Sequence, residues 1–119
     1  MSQDLIPSND NERNWGMAIH MSALIGLLLP LGLVLGPMIV WMLKKNEGEF
    51  FNVQGKKAVN FQLTILIVAF LFALLSIMIR PVISIAFMAG FAGIVFAIIA
   101  GVSIKRGSDY NYPFSFKFL

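Results

Sequence analysis

Three stretches of the chain contain no Asp, Glu, Lys or Arg: 30 residues between Arg13 and Lys44, 22 between Lys57 and Arg80, and 24 between Arg80 and Lys105. Each exceeds the roughly 20 residues that an α-helix needs to cross about 30 Å of hydrocarbon. The second, residues 58–79, is apolar all round rather than along one stripe, as suits a helix that faces both lipid and other helices. It is about 33 Å long at 1.5 Å per residue, which makes one crossing. Asn52 offers an N-cap, so this helix is expected to start near it, ahead of the apolar stretch. Arg80-Pro81 stops it, because proline disfavours helix in the preceding residue and has no N–H to donate. The third stretch, residues 82–104, follows at once, so the two are expected to form a tight antiparallel hairpin of transmembrane helices.

The first stretch does not parse as one rod. Residues 14–43 in a straight helix would reach about 45 Å, half as long again as the hydrocarbon core. Pro30 and Pro37 each remove a backbone donor, and Gly32 and Gly36 lower helix propensity between them. The pattern predicts two short helices, residues 15–29 and 37–43 or 44, joined by a turn over residues 30–36. Pro37 would then sit in the first turn of the second helix, where a missing N–H costs nothing. Irregular backbone at membrane depth needs cover from protein, and the small residues of the last stretch are the expected cover. The alternative is three simple transmembrane helices. Counting basic residues separates the two. A doubled-back first stretch puts Arg13, Lys44, Lys45, Lys56, Lys57, Lys105, Arg106 and Lys117 on one side and Arg80 on the other; a single crossing moves Arg13 across. Both place the 44–57 loop and the 105–119 tail in the cytoplasm.

Composition agrees with this picture. The chain is 58% hydrophobic and 13% charged, about half the usual charged share, and so small a soluble domain could not hide that much apolar surface. The expectation is an all-α integral membrane protein with a single membrane domain, residues 14–119, behind a disordered polar tail, residues 1–13. That tail is net acidic and lacks the basic start of a signal peptide. The net charge of +3 is no nucleic-acid signature, because Lys44, Lys45, Lys56, Lys57, Lys105 and Arg106 adjoin the apolar runs and would meet anionic headgroups. With no cysteine, disulfides and thiolate metal sites are excluded. No cofactor is expected.

Few residues carry candidate chemistry. His20 is the only titratable group inside the apolar runs, so it is a functional candidate by position. No second histidine and no intramembrane carboxylate stands ready to join it, and a hydrogen-bonded packing role near Trp15 and Ser22 is the plainer reading. Asn60, Gln62 and Thr64 form the only polar cluster at the entry of a membrane helix; such groups bind a polar ligand or, more often, bridge helices. In the third stretch Ala86, Gly90, Gly93, Ala97 and Gly101 recur at spacings of 4, 3, 4 and 4, one helical face fit for close helix packing. After Tyr110 and Tyr112 the tail alternates Phe114, Phe116 and Phe118 with polar residues, which predicts an extended aromatic segment at the headgroup level. All six acids lie outside the apolar runs, and neither a nucleophile–base pair nor a phosphate loop is visible.

Taken together, Glu12-Arg13 with Trp15, then His20, Gly36-Pro37, Trp41, Lys44-Lys45, Asn60-Phe61-Gln62 and the closing Gly107 with Tyr110, Tyr112 and Pro113 form an ordered set. In that order the chain resembles a family of small prokaryotic membrane proteins classed as a domain of unknown function. That family is distantly similar to the 20-kilodalton subunit of the chloroplast inner-envelope protein import machinery. The resemblance spans residues 12–119 and implies four membrane segments with both ends on one side, in the cytoplasmic membrane of a prokaryote. The residues and the resemblance lead to one expectation: a non-enzymatic structural or interaction component supporting envelope integrity or assembly. Its partners would be the lipid bilayer, a second copy or another membrane protein. The alternative is an oligomeric channel or transport component.

Overall fold

The computed structural model describes residues 6–119; the first five residues of the predicted tail lie outside the described residues. Among the described residues all regular structure is helical: α1 (Asp10–Met21), α2 (Gly32–Lys44), α3 (Glu49–Leu75) and α4 (Ile83–Lys105), with 3-10 segments at Ser22–Leu27, Lys45–Glu47 and Arg80–Val82. Helix α1 starts earlier than expected, so residues 10–13, assigned to the disordered tail, are helical. Its start is capped from both directions. The Asn9 side chain accepts the Glu12 N–H at 2.8 Å, while Glu12 Oε1 accepts the Ser8 N–H at 2.9 Å and its hydroxyl at 3.0 Å. These bonds satisfy donors that a helix start leaves free.

From α1 the chain tightens into the 3-10 segment, reverses over residues 28–31, and returns as α2. The doubled-back parse therefore describes the chain, and three simple helices do not. Two details differ from expectation. The elbow is Pro30 and is shorter than predicted; Pro37 lies buried inside α2, not in its first turn. The reason is that Gly32, Leu33 and Val34 find acceptors at once in Leu29, Pro30 and Leu31, at 2.9, 3.2 and 3.1 Å, so the helix restarts five residues before Pro37. Nor does α4 cover the turn: Leu28 and Leu31 are 85% and 61% exposed. Bonds within the turn, which include Leu28 N–H to Ile25 C=O and Gly32 N–H to Leu29 C=O, both at 2.9 Å, meet part of this backbone's demand locally.

Helix α3 also begins early, after Gly48, because Asn52 is not its cap; the Asn52 side chain accepts the Trp41 indole N–H at 3.0 Å. With 27 residues, α3 is about 40 Å long. It ends at Leu75, short of Ile79, and the 3-10 turn at Arg80–Val82 leads into α4 as predicted. Both α3 and α4 are long and apolar enough to cross a membrane.

The core lies toward one end. On α3 the buried residues stop at Ile65, and on α4 they begin at Gly93. Ala23, Leu33, Phe61, Ile65, Ile94 and Ala97 form one cluster; Ile19, Phe50, Phe51, Ala58 and Ile104 form the other. At this same end Asn14 accepts a hydrogen bond from Lys105, Arg13 lies beside Gly107, and the Lys44 ammonium sits 4.0 Å above the Trp15 ring. The two ends of the four-helix unit thus meet, and among the described residues Arg80 is the one charged side chain at the opposite end. The predicted small-residue face packs over half its length. A Cβ on Gly101 would come within 2.4 Å of Met21 Cγ, and one on Gly93 within 2.8 Å of Gln62 Oε1, but one on Gly90 would meet nothing within 4 Å.

Candidate functional site

A buried polar chain joins α1, α3 and the C-terminal tail. His20, in the last turn of α1, is wholly buried. Its Nδ1 lies 2.8 Å from the Tyr112 hydroxyl and its Nε2 2.8 Å from Gln54 Oε1. An amide oxygen can only accept, so Nε2 carries the ring proton and Nδ1 accepts from Tyr112. Burial pushes the Tyr112 phenol well above its usual value of 10.0, which keeps that hydroxyl a donor. Gln54 Nε2 in turn donates to Asp109 Oδ1 at 3.1 Å, and the same oxygen accepts from the Lys57 ammonium at 2.7 Å. Lys57 also donates to Asn111 Oδ1 at 3.1 Å.

The spacing of α3 explains the convergence. Gln54, Lys57 and Phe61 fall at i, i+3 and i+7, one face of the helix. Phe61 continues that face by stacking on Tyr112, with ring centroids 4.1 Å apart and planes 13° from parallel. One step round the helix a second clamp begins. Asn60 Oδ1 accepts the backbone N–H groups of Phe118 (3.1 Å) and Leu119 (2.8 Å), and Thr64 Oγ1 accepts that of Phe116 (2.8 Å) while donating to the Asn60 carbonyl. The tail is non-helical, as predicted, and it lies back along α3. Between them is a cleft of about 170 Å³ beside Lys57, Asn60 and Lys117.

The sequence-derived candidates therefore separate into groups. His20, Asn60 and Thr64 are brought together by the tail. Gln62 turns to α4, where it donates to the Gly93 carbonyl at 3.0 Å, and its own amide oxygen is buried with no hydrogen-bond partner among the described residues. Gly36 and Pro37 sit where α2 crosses the 3-10 segment; Gly93, Ala97 and Gly101 line the α4 contact, and Gly90 does not. Of the basic residues assigned to headgroups, Lys57 is instead held by Asp109, Lys44 pairs with Glu47 at 3.3 Å, and Lys45 lies 4.8 Å from the Trp41 ring centre. Lys56 and Arg106 lie nearby at the same end. Sequence reasoning missed Gln54 and Asp109. One signal was present, since Asp109 is the only acid after the last apolar run.

A family model described as the magnetosome magnetite crystal formation protein family, MamF/MmsF, matches residues 11–119. The chain belongs to that family. Membership in MamF/MmsF and the two long apolar helices together mark a membrane-associated protein. No curated protein and no solved structure matches the chain, so the likeness to the chloroplast import subunit finds no support there. The MamF/MmsF match begins inside α1 and takes in every residue of the polar chain just described.

Proposed function

We propose that this chain is a non-enzymatic, multi-pass membrane protein that serves as a structural or interaction component, and that its setting is the one its family description names, the magnetosome. The basic end, with the start of α1 and the C-terminal tail, faces the cytoplasm. One observation supports the structural reading: the side chains of His20, Gln54, Asn60 and Thr64, and the amide N–H of Gln62, bond to other parts of the same chain. Groups arranged in this way hold helices and tail in register; they present no paired acid and base to a substrate. The skewed distribution of basic residues, eight at one end against Arg80 at the other, supports the orientation.

Crosslinking in native membranes tests the proposal. The expected result is one defined neighbour or a homo-oligomer, together with protease-sensitive tags at Met1 and Leu119 on the cytoplasmic face. An isolated monomer, or tags on opposite faces, would overturn it. The transport alternative stands second, because a permeation path needs free polar groups, and among the described residues only the Gln62 amide oxygen and Asp109 Oδ2 are buried without a hydrogen-bond partner. Flux of an ion or small solute through liposomes holding the purified protein would reverse that order.

A further inference from the structure

The half of the molecule away from the core contains an apolar groove of about 650 Å³ between the hairpin tip, α3 and α4. Among the described residues its lining has no polar side chain; Pro30, Leu66, Phe70, Gly90 and Phe91 are among its walls. Leu33 and Ile94, both in the buried core, close the inner end. The outer end opens at Ile83, one turn from Arg80. Such a space does not hold water, which needs two or more polar partners, and left empty it would forfeit van der Waals contact along its whole wall.

We propose that this groove seats an acyl chain of an anionic phospholipid, with the headgroup phosphate against Arg80. Two observations select that occupant. From Ile83 to Ile94 the groove runs 11 residues along α4, about 16 Å, which matches the roughly 15 Å from headgroup to midplane in one leaflet. A tail entering beside Arg80 would therefore end at Leu33 and Ile94. The charge at the mouth is also unopposed: among the described residues every carboxylate lies at the other end of the bundle, and none pairs with Arg80. A guanidinium there is matched by a phosphate. This site rests on the membrane placement proposed above.

The test uses full-length protein in phosphatidylcholine vesicles doped with phosphatidylglycerol that bears a photoreactive group on its acyl chain. Flotation with the vesicles reads insertion separately from binding. The expected label falls on the groove walls of α3 and α4, several-fold above the outward-facing Met88, which is 68% exposed. Gly90→Leu should remove that excess while flotation stays as in the parent and melting is unchanged or slightly raised by the gain in helix propensity, because a Cβ at Gly90 meets open space. Arg80→Gln should lower the preference for phosphatidylglycerol over phosphatidylcholine by about fivefold. Label spread evenly over groove and outer face, and indifferent to Gly90→Leu, would overturn the site with the membrane placement intact. Failure to float would overturn both. The chain has no cysteine, so a Gly90→Cys variant that forms disulfide-linked dimers in the bilayer would assign the groove to a second copy and overturn the lipid.

Discussion

Replacing Gly36 by alanine attacks the hairpin at its closest point. A methyl group there would stand 2.0 Å from the Ser22 carbonyl oxygen and 2.6 Å from its carbon. Ordinary contact begins at 3.4 Å, so α2 and the 3-10 segment must separate by about 3.4 − 2.0 = 1.4 Å. The obstructing atoms are backbone, and no side-chain rotation relieves them. Overpacking of this kind costs about 1–3 kcal/mol, and a backbone obstacle belongs at the upper end. Alanine recovers about 1 kcal/mol of helix propensity, which leaves a net loss of about 2 kcal/mol. Gly90→Ala makes the same chemical change where nothing lies within 4 Å, so only the propensity gain, up to about 1 kcal/mol, should appear. Denaturant titration of both variants in detergent micelles measures the contrast. A Gly36→Ala protein as stable as the parent would refute the close crossing and the hairpin geometry built on it.

Three further outcomes follow from the polar chain and the tail. His20→Ala leaves Gln54 and Tyr112 without their ring partner and should cost about 1–3 kcal/mol, against about 0.5–1.5 for Tyr112→Phe; the double variant should lose less than the sum, and strict additivity in a double-mutant cycle would refute the shared network. Asn60→Ala removes the acceptor of two backbone N–H groups of the tail, so carboxypeptidase should trim residues 116–119 faster while the helical melting transition moves by less than about 1 kcal/mol. Burial raises the phenols of Tyr112 and Tyr110 above 10.0. The folded state therefore holds its protons more tightly than the unfolded one, and the stability this represents is present below pH 10 and lost as pH climbs beyond it. Tyr112→Phe should flatten that alkaline decline, and coincident pH–stability curves for parent and variant would refute it.

The helical class, the α3–α4 hairpin and the reversal of the first stretch were legible because each depends on local features: length without charge, Arg80-Pro81, and the crowding of Pro30, Gly32, Gly36 and Pro37. Which proline makes the elbow was not legible. That depends on whether Gly32 to Val34 find acceptors within the turn, and only three-dimensional bonding decides it. The site was half legible. His20, Asn60 and Thr64 stood out as polar groups among apolar ones, but their common partner is a tail about 50 residues further along the chain from α3. Asn52 misled for a similar reason: its side chain bonds the Trp41 indole across α2 and α3, a contact between helices that no single-helix rule registers.

A core confined to the end that holds the start of α1 and the C-terminal tail implies uneven stiffness. Opening free energies follow local burial, so residues 50–65 and 93–104 should behave as a fixed hub. The 28–31 elbow and the α3–α4 corner are then the loose tips. Any rearrangement the molecule undergoes would splay those tips apart like shears pivoting at the hub, and would leave the clasp of His20, Gln54 and Asp109 closed throughout.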